Sequence, residues 1–163
     1  MACVWAQLSP DALQKAGDEF AASAREAPDF APAHSGLADC QIVLAMYGFA
    51  PPLRAANLAR DHHARALALD PDSAEVQTAQ GAIRLFFDWK LDDAERAFVR
   101  ALALNPSYTT AHLAYGDLLM MRGEFDRGLA LIREAVKLSP FDLGLAMNLG
   151  DFLIFSGRFD EAV

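Results

Sequence analysis

Four prolines, Pro28, Pro71, Pro106 and Pro140, each close a near-copy of one hexapeptide: Ser23-Ala-Arg-Glu-Ala-Pro28, Ala66-Leu-Ala-Leu-Asp-Pro71, Ala101-Leu-Ala-Leu-Asn-Pro106 and Ala135-Val-Lys-Leu-Ser-Pro140. Other positions recur in register with them. Twelve residues before the prolines stand Ala16, Ala59, Ala94 and Gly128, and five before stand Ser23, Ala66, Ala101 and Ala135. Ten after stand Ala38, Gly81, Gly116 and Gly150, while eight before stand the bulky Phe20, His63, Phe98 and Ile132. Residues next to the third small position are Leu37, Gln80, Tyr115 and Leu149, with Gln80 the one polar misfit. Small side chains let two antiparallel helices approach closely, and bulky neighbours fill the space beside the crossing. A recurring proline stops every second helix at a fixed point, because it lacks the amide donor and clashes with the preceding turn. A hairpin of two such helices cannot cover its own apolar face, so neighbouring hairpins must stack.

This arrangement predicts helices near 11–27, 31–47, 52–69, 73–87, 91–104, 107–121, 125–138 and 141–156. Ser9-Pro10 reads as an N-cap with proline at the first helical position, and Ser107 reads as a cap after Pro106. Sustained period-2 alternation is absent, so no strand pattern competes. At 163 residues and 53% hydrophobic content, the chain is large and apolar enough to build a continuous core.

The register of small, bulky and proline positions resembles the tetratricopeptide repeat, a family with a 34-residue helix–turn–helix period. The resemblance implies an all-α fold: an α-α superhelix of antiparallel helical hairpins with about three full repeats and a partial repeat at either end. Within a single domain spanning 1–163, residues 1–30 form a partial repeat, 31–73 a repeat carrying an insertion around Tyr47-Gly-Phe-Ala-Pro-Pro52, 74–108 and 109–142 two repeats, and 143–163 a second partial repeat. The segments Phe86-Phe-Asp-Trp-Lys-Leu-Asp-Asp-Ala-Glu-Arg-Ala-Phe98 and Arg100-Ala-Leu-Ala-Leu-Asn-Pro-Ser-Tyr-Thr-Thr-Ala-His112 are also similar to a repeat region of certain bacterial proteins. In those, the repeats follow a winged-helix DNA-binding domain of the CadC/ToxR type or an adenylate cyclase domain. That similarity implies a regulatory, protein-binding role.

In the tetratricopeptide family the first helix of each unit lines a concave face through its positions 2, 5, 9, 12 and 13. Carried onto this chain, those positions are Pro32, Ser35, Asp39, Ile42 and Val43 in the second unit and Glu75, Thr78, Ala82, Leu85 and Phe86 in the third. In the fourth they are Thr110, Leu113, Asp117, Met120 and Met121, and in the fifth Gly144, Met147, Asp151, Ile154 and Phe155. The resemblance therefore implies a peptide-binding face built from Asp39, Leu85, Phe86, Leu113, Asp117, Met120, Met121, Met147, Asp151, Ile154 and Phe155. Asp39, Asp117 and Asp151 form an acidic row, and the methionines supply an adaptable apolar floor. A basic or amphipathic protein segment is the expected partner. These positions carry no lysine or arginine, which departs from family members that clamp a chaperone's C-terminal carboxylate. A domain that senses a small apolar molecule between its helices is the alternative, and a closed apolar pocket would favour it.

Charge and motifs exclude other classes. With 14 Lys+Arg against 22 Asp+Glu, the net charge of −8 repels phosphate backbones and anionic headgroups, so neither direct nucleic-acid nor membrane binding is expected. No phosphate-binding loop, dinucleotide fingerprint, zinc-hydrolase or serine-hydrolase motif occurs, so no catalytic residue, metal site or cofactor is expected. His62 and His63, adjacent on a helix, point about 100° apart and cannot converge on one ion. His34, His63 and His112 read as packing residues. Asp92-Asp-Ala-Glu95 reads as acidic residues favoured by a helix N-terminus. Cys3 and Cys40 read as reduced core thiols. The start of the chain lacks the pattern of a secretory signal and no apolar run is long enough to span a bilayer, so a cytoplasmic setting is expected. Leu149, Phe152, Leu153 and Phe159, in the last partial repeat, are expected to lie open and to support a homodimer.

Overall fold

The computed structural model describes residues 9–162. Among them, eight α-helices run in order: α1 (Pro10–Glu26), α2 (Ala31–Met46), α3 (Pro52–Leu69), α4 (Ala74–Phe86), α5 (Leu91–Leu104), α6 (Thr109–Met121), α7 (Phe125–Leu138) and α8 (Leu143–Phe155). A 3-10 turn, Phe159–Glu161, follows. No strand occurs among the described residues.

Each proline acts on the chain as its chemistry requires. Helices α1, α3, α5 and α7 all end two residues before a proline, at Glu26, Leu69, Leu104 and Leu138. The intervening residues Ala27, Asp70, Asn105 and Ser139 leave the helix at φ of −133°, −147°, −140° and −137°, the extended conformation that a following proline imposes. Ser9 caps α1 by accepting from the Ala12 amide at 3.2 Å, and Ser73 caps α4 in the same way at 3.3 Å from Val76. Ser107 does not cap α6. Asn105 draws the Ser107 amide and hydroxyl into a local turn at 3.1 and 2.9 Å, and the helix starts two residues later behind Tyr108.

A second device ties each proline to the next helix. Six residues after Pro28, Pro71 and Pro106, the ring nitrogens of His34 and His112 and the amide of Gln77 donate to the proline carbonyl, His34 at 3.0 Å and the other two at 2.8 Å. The bond places the proton of both histidines on Nε2 and leaves their Nδ1 atoms bare in the core. His34 and His112 are thus buried, as expected of packing residues, and they also satisfy a carbonyl that the helix end leaves open. His63 is buried on α3.

Antiparallel neighbours pack through the small positions. Ala59, Ala66, Ala94, Ala101 and Ala135 are completely buried, and Phe98 and Ile132 fill the adjoining space. At the α4–α5 crossing Gly81 lies against the Phe98 ring so closely that a Cβ on it would stand 2.4 Å from a ring carbon. Core clusters then follow one another along the stack. One joins Ile42, Ala59, Ala82 and Ile83, the next Leu85, Ala94, Phe98, Tyr115, Leu118 and Leu119, and the last Leu129, Ile132, Ala135, Leu145, Phe152 and Leu153.

The turns inside the hairpins need a left-handed residue. Gly48, Gly123 and Gly157 supply it at φ of 72°, 77° and 77°, whereas the α4–α5 hairpin uses Trp89 at φ 55° with its side chain exposed. A residue with a Cβ costs about 1 kcal/mol there. Trp89→Gly is therefore expected to raise stability by about 1 kcal/mol, or roughly 2–4 °C in Tm, in thermal denaturation. An unchanged or lower Tm would show that the indole makes compensating contacts.

Ion pairs stitch consecutive units along the outer ridge. Arg122, just after α6, bonds Asp92 at 2.6 Å and Glu95 at 2.5 Å on α5, and Glu95 also accepts from the Tyr115 hydroxyl at 2.7 Å. Asp92 and Glu95 thus hold the next unit, a role beyond the dipole preference of a helix start. Arg158 pairs with Asp126 across the next junction, and Asp88 takes Arg60 and Arg84, each at 2.7 Å. Bonds from Tyr115 and Arg122 hold the Glu95 carboxyl below its ordinary range.

Two expectations for the end of the chain change. Phe152 and Leu153 are buried against α7, and Leu149 packs partly on the same cluster, because α8 turns that face inward. Phe159 is exposed as expected, but the open apolar surface is otherwise made of Phe141, Leu143, Met147, Ile154 and Phe155. Cys40 is a buried free thiol, and burial with the neighbouring Asp39 charge pushes its pKa up to about 12. Cys3 lies outside the described residues. No helix of the described residues is long and apolar enough to cross a membrane.

Candidate functional site

First helices of successive units stand side by side, α2 against α4 and α4 against α6. Their inner faces enclose a cavity of about 70 Å³ that opens to solvent. One wall is α2 with Asp39, Ile42, Val43 and Met46, continued by Tyr47. The floor is Thr78, Ala82 and Phe86 of α4. The opposite wall is Thr110, Leu113, Ala114 and Asp117 of α6, with Asn148 of α8 beside it.

Two of the polar groups here are already engaged locally. The Thr78 hydroxyl donates to the Ala74 carbonyl at 2.8 Å, and the Asn148 amide donates to the Gly144 carbonyl at 2.8 Å. Asp39 and Asp117 differ from them. Neither carboxylate takes a hydrogen bond or meets a cation among the described residues. Burial, reinforced by the charge of Glu75, pushes the Asp39 carboxyl up to about 7, and burial alone takes Asp117 to about 7. Tyr108, half-buried at the start of α6, has its phenol raised by burial and by the charge of Asp39. Tyr47 faces the other end, where burial and the charges of Asp117 and Asp151 raise its pKa.

Among the residues expected at the groove, Asp39, Phe86, Leu113 and Asp117 line this cavity. Leu85 does not. It is fully buried in the cluster with Phe98 and Leu118, because its face of α4 turns toward α5. Met120 likewise packs into the core, over Gly128, whose missing side chain leaves room for the thioether. Met121, Met147, Ile154 and Phe155 are exposed and lie outside the cavity, as does Asp151. The acidic row is therefore a pair, Asp39 and Asp117, facing one cavity across Ala82, with Asp151 beyond it.

Four lining residues escaped the sequence reading: Met46, Tyr47, Ala114 and Asn148. Ala114 and Asn148 occupy the position after Leu113 and Met147 in their units, a position the transferred pattern leaves out. Met46 and Tyr47 exist at the groove because α2 runs 16 residues where α4, α6 and α8 run 13. The inserted loop is the signal that could have found them, since it lengthens the helix that feeds it. Tyr47 then stacks on Phe49 of that loop at 6.2 Å, which holds it at the groove rim.

Residues 90–142 match the family model described as tetratricopeptide repeat. No curated protein sequence is matched. Among solved structures, the chain is similar to a thermophilic tetratricopeptide protein, TTC0263 of Thermus thermophilus, at 21% identity and a TM-score of 0.67, over 90% of this chain and 82% of that one. It is similar to PilW, a type IV pilus biogenesis factor, at 19% identity and a TM-score of 0.65, over 93% of this chain and 66% of that one. YrrB, a tetratricopeptide protein with an unusual peptide-binding site, aligns at 18% identity and a TM-score of 0.55, over 94% of this chain and 74% of that one. The described helices thus form the tetratricopeptide-type α-α superhelix, with the family's own sequence pattern recognised over residues 90–142.

Proposed function

We propose that this protein is a non-catalytic binding module whose concave groove holds an extended segment of another polypeptide. The observation that carries the reading is the open cavity between α2, α4 and α6, largely apolar in its lining and carrying an acid on each of two opposite walls. Its volume of about 70 Å³ is far below the several hundred Å³ of a typical small-molecule pocket, and it is open rather than sealed. Both features weigh against the sensing of a small apolar molecule. An α-helix with side chains is about 10–12 Å across and too broad for it, so an extended segment placing one side chain inward is favoured over a helical ligand. The similarity of residues 86–112 to repeats attached to winged-helix and cyclase domains supports a regulatory setting in a bacterial signalling protein.

Ala114→Phe tests this reading by filling the cavity from the α6 wall. Short unstructured peptides selected on the full chain are expected to bind the variant about tenfold more weakly or worse, a loss of at least about 1.4 kcal/mol. Val99→Glu, on the exposed outer side of α5, is expected to leave binding unchanged, and circular dichroism checks that both variants fold. Equal affinity of the wild-type chain and Ala114→Phe would remove the groove as the binding surface.

A further inference from the structure

We propose that the groove accepts the side chain of one lysine or arginine from the partner segment, its cationic head lodged between Asp39 and Asp117 and its methylenes lying on Val43, Ala82 and Phe86. The inference rests on the groove reading above and specifies what enters it.

Charge is the first argument. Two carboxylates face one small cavity with no donor or cation among the described residues to compensate them. The one charge that acts on Asp39, Glu75, carries the same sign, and no cation acts on Asp117. Elsewhere the chain does pair its acids: Asp72, Asp88, Asp92, Glu95, Asp126 and Glu161 all meet arginines on the outer ridges. Arginine is thus absent from the two acids that most need it. Both side chains are half-buried at the open groove, where water alone faces their carboxylates, and a partner's cation would replace that water with charge-assisted hydrogen bonds. An anionic or carboxylate-terminated segment would add a third like charge and is refused.

Shape is the second argument, and it is independent of charge. A water needs about 10–15 Å³ of such space, so the cavity has room for a handful of waters or the end of one long side chain. Lysine and arginine join an apolar stem to a charged head, which matches a cavity with an apolar floor and carboxylates at its walls. Tyr47 adds an aromatic ring to the lining at the rim.

The test uses peptides selected from a random library on the full chain at pH 8, together with the Asp39→Asn/Asp117→Asn variant. Binders that lose affinity to Ala114→Phe are expected to share one lysine or arginine. Replacing that residue with methionine is expected to weaken binding to the wild-type chain about tenfold or more, and binding to the double variant less than about twofold. Groove-dependent binders that tolerate loss of every basic residue, or that bind the double variant equally well, would overturn the inference while leaving the groove reading intact. Binders indifferent to Ala114→Phe would overturn both.

Discussion

Alanine at Gly81 is expected to destabilise the fold by about 2–3 kcal/mol, and alanine at the equivalent Gly150 to stabilise it by about 0.5–1 kcal/mol. Each of the two glycines stands ten residues after a repeat proline, and in sequence they look interchangeable. Their surroundings differ. At Gly81 a Cβ would come within 2.4 Å of the Phe98 ring, which is completely buried in the cluster of α4, α5 and α6 and can yield only by displacing its neighbours. Gly116 is intermediate: its Cβ would stand 3.0 Å from the Phe152 ring and 3.5 Å from the Gly128 carbonyl, and about 1 kcal/mol of loss is expected. Gly150 meets nothing within 4 Å, so only the helix-propensity gain of alanine remains. Urea or thermal denaturation of the three variants is expected to give that order. Adding Phe98→Leu to Gly81→Ala is expected to recover part of the loss, with non-additivity above about 1 kcal/mol. Three equal effects, or a strictly additive double variant, would mean that the α4–α5 crossing is not set by this contact.

That gradient explains what sequence could and could not reveal. Helix order, the stop at each proline and the burial of Ala59, Ala94, Phe98 and Ile132 were legible because one physical constraint, close helix crossing, repeats with the chain and stamps the same residue types each time. Differences between repeats were not legible. Whether Gly150 touches anything depends on what packs outside α8, and whether Leu85 faces groove or core depends on how α4 is rotated against α5. Neither leaves a mark in the residue itself. The proline-carbonyl bonds of His34, Gln77 and His112 show the reverse case. Their shared offset was visible, but His and Gln look unrelated until one asks which donors can reach a carbonyl six residues back. In the groove, Asp39 and Asp117 stood out at a repeated position, while Tyr47 depended on the three extra residues of α2.

Replacing both Asp39 and Asp117 by asparagine is expected to stabilise the free protein at pH 8 and to make little difference near pH 4. Folding moves each carboxyl from its ordinary 3.8 up to about 7. Well below 3.8 both carboxyls are protonated in the folded and unfolded chains alike, and the full stability is present. As the pH rises toward 7 the unfolded chain releases those protons while the folded chain keeps them, so stability falls, and above 7 the loss is complete. Because the groove is open to water, we place the loss on the order of 2 kcal/mol per site, or roughly 4–8 °C in Tm, rather than the larger value that the full rise in pKa implies. Glu75 and Tyr108 face Asp39, and Tyr47 faces Asp117, so the gain is expected to be larger at Asp117→Asn combined with Asp39→Asn than for either alone. Glu95, held low by Tyr115 and Arg122, and Asp88, held low by Arg60 and Arg84, titrate in the opposite sense, but they are common to both proteins and cancel in the comparison. A stability gap between wild type and double variant that ignores pH would show that Asp39 and Asp117 are not strained as charges. A gap that closes between pH 8 and 4 has a further consequence for binding: the charge that destabilises the free groove is the charge a basic partner neutralises, so wild-type affinity for such a partner is expected to weaken as the pH drops through about 7.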